Sequence, residues 1–88
     1  MAWTIEYTES ALSLLRKLDK QSARRIVEYM DERILPLDDP RLTGKPLSGP
    51  LGGLWRYRVG DFRIICDIHD QAVRILVVKI GNRKDVYR

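Results

Sequence analysis

Six residues of this sequence could act together: Lys45, Arg56, Arg58, Arg63, Arg83 and Tyr87. Arg56 and Arg58 alternate with apolar residues in Leu54–Val59, so as a strand they point to one side. Arg63 follows the Gly60-Asp61 turn and can share that side, depending on register. Arg83 comes just after the last apolar run, and Tyr87 four residues later. Lys45 sits in a Gly/Pro-rich stretch ahead of the arginines. Such a set would line a concave sheet face that attracts a polyanion, with Arg gripping phosphate oxygens and Tyr stacking on a base. The same pattern also describes a plain solvated strand face. Arg63 could equally pair with Asp61 or Asp67, and Tyr87 could be a packed terminal residue.

Other chemistries find little support. There is no GxxxxGK[ST] loop, no GxGxxG fingerprint, no HExxH and no EF-hand loop. The string Gly49–Gly53, GPLGG, has no following helix and no suitably placed Lys. One Cys and one His are too few for a thiolate zinc site, so neither metal nor cofactor is expected. Cys66 reads as a buried small hydrophobe. His69 reads as an exposed turn residue without a role, and Trp55 and Tyr57 as core. Glu28, Asp31 and Glu32 read as the polar face of a helix.

The charge agrees with a basic site in one half of the chain. The 88 residues carry sixteen Lys and Arg against twelve Asp and Glu, a formal charge of +4. Residues 1–40 hold six basic and eight acidic residues, a balance of −2; residues 41–88 hold ten and four, a balance of +6. Eleven of the sixteen cations are Arg, the better bidentate phosphate partner. A chain of this length forms one domain, 1–88, and buries only about 60 to 65% of its unfolded surface. A shallow site suits it better than a deep cavity. The N-terminus lacks the pattern of a signal peptide, and no apolar run approaches the roughly 20 residues of a membrane span. A reducing, cytoplasmic setting is expected, with no membrane partner.

The elements that must position these residues are legible from periodicity. Residues 3–7 alternate as a short strand. Thr8 is placed to cap a helix over 9–18 with the stripe Ala11, Leu12, Leu15 and Leu18. Asp19 caps a second helix over 20–34 with the stripe Ala23, Ile26, Val27, Met30 and Ile34. Residues 35–53 hold all four prolines and four of the six glycines, so they form a long loop, which Leu42 and Leu47 are expected to pin to the core. Strands follow over 54–59, 62–68 and 73–80. The last is apolar on both faces, as a central strand is. Gly81-Asn82 reads as a break before a charged tail.

The order strand, two helices, Gly/Pro loop and hairpin resembles the RelE/ParE superfamily of bacterial toxins. The resemblance rests on L-x-G-x-x-G-x-x-W-R-Y-R-V-G-D-F-R-I-I-C-D-I between Leu47 and Ile68, and on the ending V-K-I-G-N-R-K-D-V-Y. It implies an α+β, RelE-like microbial ribonuclease-type fold. In that fold the N-terminal strand and helical hairpin pack on a small, mainly antiparallel four-stranded sheet. The RelE branch contains ribonucleases that cut messenger RNA, typically on the ribosome. By resemblance, Arg56 and Arg58 match two basic sheet positions that are often Lys. Arg63 and Arg83 match catalytic arginines, and Tyr87 matches the terminal Tyr that stacks on a base. Lys45 lies near a basic loop position, and Lys84 and Arg88 join it as RNA contacts.

The resemblance further implies metal-independent cleavage by the ribose 2′-hydroxyl and dependence on the ribosome. It implies a cognate antitoxin as well, with operator DNA bound only through the toxin–antitoxin complex. Two other readings stand beside it: a ParE-type inhibitor of DNA gyrase without nuclease activity, and a nucleic-acid-binding domain without catalysis. Arg in place of Lys at 56 and 58 leaves no obvious general base, since Arg stays protonated at neutral pH.

Overall fold

A computed structural model describes residues 2–82. The order is β1 (Thr4–Tyr7), α1 (Glu9–Lys17), α2 (Lys20–Tyr29), β2 (Lys45–Pro46), β3 (Trp55–Val59), β4 (Phe62–His69) and β5 (Arg74–Asn82). The strands form one sheet in the order β1-β5-β4-β3-β2, with β1 parallel to β5 and the other pairs antiparallel. The expected α+β fold is present, with a fifth strand added: two residues of the Gly/Pro loop pair with the start of β3. Among the described residues, no helix is long and apolar enough to cross a membrane.

Local chemistry sets the helix starts. The Thr8 side chain accepts from the Ala11 N–H, and Asp19 accepts from the Ser22 N–H at 3.1 Å. Both satisfy an amide that has no partner within the helix. The Ser22 hydrogen bonds hold the Asp19 carboxyl below its ordinary value. The second helical run departs from expectation at its end. After Tyr29 it widens into a π-helical turn, Met30–Ile34, closed by the Leu35 N–H donating to the Met30 carbonyl at 2.9 Å.

Both helices cover one face of the sheet. Ala11 of α1, Ile26 of α2, and Met30 and Ile34 beyond it bury against Tyr57, Val59, Ile64, Cys66, Ile75, Val77 and Ile80. Leu14, Leu15 and Leu18 pack at the margin of this core. Leu14 thus occupies a place the sequence stripe gave to Leu12. Strand β5 lies between β1 and β4, an interior place in the sheet as its apolar run leads one to expect.

Three further expectations are corrected. Leu42 is 69% exposed and pins nothing; Leu37 packs on the core instead, while Leu47 is half-buried. The loop is held by polar tethers: Tyr57 donates to the Pro40 carbonyl at 2.6 Å, Trp55 to the Thr43 carbonyl at 2.8 Å, and Trp3 to the Asp38 carbonyl at 3.1 Å. Val73 belongs to the turn before β5, with φ +49°, a conformation a β-branched residue rarely adopts. Gly81-Asn82 is no break, because β5 runs through both and pairs with Arg63 and Phe62.

Candidate functional site

The face of the sheet away from the helices carries the candidate residues. Directly opposed residues of an antiparallel pair share a face. Arg56 lies opposite Lys45 on one side and Ile65 on the other, and Ile65 lies opposite Lys79. Arg58 lies opposite Arg63, which lies opposite Gly81. Two rows result: Lys45, Arg56, Ile65 and Lys79 across four strands, then Arg58, Arg63 and Gly81 beside it. Strand spacing of about 4.8 Å makes the first row roughly 14 Å long between Cα atoms, with an amine at each end. Ile65, 2% exposed, and Arg63, 5% exposed, form the floor of the two rows on β4, which has strands on both sides.

Lys79 is a site residue that sequence reading misses. Simple alternation from the buried Val77 would send Lys79 into the core. A β-bulge between Ile65/Cys66 and the facing stretch of β5 inserts one residue, Val78. Parity is thereby reversed: Ile80 enters the core and Lys79 joins the open face, exposed. The odd spacing of Val77 and Ile80, both apolar, is the one trace of this in the sequence.

Which cations are available to a ligand follows from the ion pairs. Arg41 grips Asp70 with two hydrogen bonds, at 2.8 and 3.0 Å, tying the loop to the β4–β5 turn. This pairing lowers the pKa of the Asp70 carboxyl. Arg74 contacts Glu6 at 3.4 Å and donates from Nε to His69 Nδ1 at 3.2 Å. His69 Nε2 lies 2.9 Å from Asp67 Oδ2. With Nδ1 accepting from Arg74, the hydrogen-bond network assigns the imidazole proton to Nε2, donated to Asp67. His69 is therefore a structural link at the end of β4, correcting its reading as an idle turn residue. Asp67 is engaged by His69.

By contrast, Lys45, Arg56, Arg58 and Lys79 enter no ion pair or side-chain hydrogen bond with any described residue. Their charge is offered to solvent, or to a ligand. A solvated strand face would look similar at one or two positions. Four cations without an ion pair among the described residues, around a buried floor, can cradle an anion. Arg83, Lys84, Tyr87 and Arg88 lie outside the described residues.

A groove of about 280 Å³ opens beside this face, lined by Tyr29, Thr43, Gly44, Lys45, Arg56 and Arg58. Gly44 makes its wall possible. Its φ is +83°, and a Cβ there would lie 2.4 Å from the Arg56 carbonyl oxygen and 2.6 Å from Trp55 Nε1. Only glycine lets the loop approach β3 closely enough for Lys45 to pair with Arg56. Cys66 is fully buried in the opposite face, and burial pushes its thiol up to about 12, as expected of an inert core residue.

Comparisons with known proteins agree with this architecture. A sequence model of the ParE toxin of type II toxin–antitoxin systems matches residues 5–87. Toxin RelG of Mycobacterium tuberculosis is 28% identical over 88 residues, covering 100% of this chain and 99% of RelG. Toxin RelE of the same organism is 32% identical over 84 residues, covering 96% of this chain and 84% of that protein. A chain of the RelBE2 toxin–antitoxin complex from M. tuberculosis superposes with a TM-score of 0.84 at 25% identity, covering 94% of this chain and 93% of the other. A double arginine-to-alanine variant of Escherichia coli RelE in the free state superposes with a TM-score of 0.75 at 24% identity, covering 99% and 92%; that likeness concerns the fold alone.

Proposed function

The chain belongs to the RelE/ParE superfamily of type II toxins, on its RelE side, and from that premise we propose that it is an endoribonuclease that cuts messenger RNA on the ribosome. The observation that carries this reading is the cradle of unpaired cations, Lys45, Arg56, Arg58 and Lys79, around Arg63 on the open sheet face. Gripping phosphates is chemistry that such a face can perform.

In the proposed reaction the ribose 2′-oxygen attacks the adjacent phosphorus. The bond from phosphorus to the 5′-oxygen breaks. The products are a 2′,3′-cyclic phosphate and a 5′-hydroxyl, with one proton lost from the attacking oxygen and one gained by the leaving oxygen. DNA lacks the nucleophile, which accounts for RNA selectivity. Arg63 and Arg83 stabilise the charge that grows on the phosphoryl oxygens, and Arg56 and Arg58 hold the flanking backbone. Tyr87 stacks on a base and holds the in-line geometry. Lys45, Lys84 and Arg88 extend the phosphate contacts. With arginines where an amine could exchange a proton, positioning by the ribosome supplies much of the rate, and free RNA is a poor substrate.

Primer extension on mRNA in a translating extract tests this. The expected result is codon-phased cutting that disappears with Arg63→Ala and Arg83→Ala. Unchanged cutting by both variants would sink the mechanism. A second reading, gyrase inhibition without cleavage, draws on the family model named for ParE. It predicts blocked DNA supercoiling and intact mRNA.

A cognate antitoxin is proposed as the physiological partner, since relatives of this fold have been solved in complex with antitoxins. Any link to operator DNA would pass through that complex.

A further inference from the structure

The basic face does not stop at the edge of the sheet. The groove holding Lys45, Arg56 and Arg58 also reaches Tyr29, which stands on α2 against the opposite face. A groove lined from both faces must wrap the edge of β3. Beyond Arg56 that edge has no strand beside it, because β2 pairs only with Trp55 and Arg56. A second groove, of about 310 Å³, continues from it along α2. Tyr29 and Arg58 line both, and Arg25 and Arg33 line the second.

The chemistry of this continuation suits a single strand of RNA. Arg25 and Arg33 are exposed and, like Arg58, enter no ion pair or side-chain hydrogen bond with a described residue. Arg25 is held close to the β3–β4 turn: a Cβ at Gly60 would lie 3.1 Å from its guanidinium. Tyr29 is half-buried, anchored in the core margin yet lining the grooves, as a stacking platform needs to be. It is also the last residue before the π-helical turn, a rare local geometry that recurs at functional sites. Glu28 and Glu32 line the same groove and oppose an anion.

We propose that the RNA strand leaving the sheet face turns over the edge of β3 and runs along α2, with Tyr29 stacking on a base and Arg25 and Arg33 contacting its backbone. The inference rests on the ribonuclease reading and extends it by a second binding segment, remote from the reacting phosphate. It makes affinity depend on strand length. The two glutamates weaken this segment, so that tight binding needs the sheet face to be engaged first.

The test is fluorescence anisotropy of the full chain with two non-cleavable 2′-O-methyl RNA probes, a trinucleotide and a strand of about nine nucleotides. Arg25→Ala with Arg33→Ala should weaken the longer probe about ten-fold and lower its salt slope by about 1.4, while leaving the trinucleotide unchanged. Tyr29→Leu should weaken the longer probe by about five-fold or more, and Tyr29→Phe should restore it. Glu28→Gln with Glu32→Gln should tighten it. Unchanged affinity for the longer probe in the double arginine variant would overturn the proposal, as would equal losses for both probes. Weaker RNA binding after the glutamine substitutions would also overturn it. If Arg56→Ala weakens both probes while the α2 variants do nothing, the sheet-face site stands and only this extension fails. If the unsubstituted chain binds neither probe, the extension fails by itself, since codon-phased cutting on the ribosome is read separately by primer extension.

Discussion

Arg58 and Arg63 face each other directly across the β3–β4 hairpin, one exposed and one buried, as a like-charged cross-strand pair. Arg58 is the exposed member and pairs with no described residue, so its charge faces solvent or a ligand. Arg58→Ala is expected to weaken RNA binding several-fold while changing the stability of the free protein by no more than about 0.5 kcal/mol. RNA titration together with urea unfolding checks both; unchanged affinity would remove Arg58 from the RNA contacts.

Gly44 is expected to tolerate no side chain. In Gly44→Ala the new methyl must displace the Arg56 carbonyl or Trp55 and must also hold a positive φ. The expected loss is more than about 2 kcal/mol, with Lys45 drawn away from Arg56. Denaturant midpoints and amide exchange at Lys45 would report it.

Two tyrosines should respond to the same substitution with opposite signs. The Tyr57 hydroxyl donates to the buried Pro40 carbonyl, whereas the Tyr7 hydroxyl is buried with no hydrogen-bond partner among the described residues. Burial raises the pKa of both phenols, that of Tyr7 to about 12. Tyr57→Phe should cost about 1 to 3 kcal/mol and loosen the Gly/Pro loop. Tyr7→Phe should be neutral or stabilising by up to about 1 kcal/mol, since a desolvated hydroxyl is removed. Thermal unfolding of the two variants side by side decides it.

Val73 adopts φ +49° in the turn between β4 and β5. Val73→Gly should relieve about 1 kcal/mol of backbone strain, less what the freer unfolded chain takes back. A lower melting temperature in this variant would mean that the side chain holds the turn by packing.

Cys66 should resist thiol reagents in the folded state at neutral pH, because burial keeps it protonated and covered. Ellman's reagent should detect it only after denaturation. Rapid labelling of the native protein would contradict its place in the core.

The division between sequence and tertiary structure runs through particular residues. Alternation in Trp55–Val59 and Phe62–Ile68 was enough to separate Arg56, Arg58 and Arg63 from Tyr57, Ile64 and Cys66. Thr8 and Asp19 marked both helix starts. These are local properties: strand period and capping depend on neighbours in the chain. The end of the second helix and the β5 start at Arg74 rather than Val73 eluded the pattern, because a π turn and a left-handed turn residue leave no periodic signal.

Pairings between distant segments depended on three-dimensional packing. The register that sets Arg58 against Arg63 joins two strands through a turn, and a slip of one residue would have placed Arg63 elsewhere. The bulge that brings Lys79 to the open face is a property of two strands together, invisible in either alone. The meeting of Tyr29 with Lys45 and Arg58 in one groove requires α2, the Gly/Pro loop and β3 to converge. The sequence alone thus determined which residues carry charge and which face of each strand bears it. Only the packed sheet decided which of those charges stand together unpaired, because that depends on contacts between segments far apart in the chain.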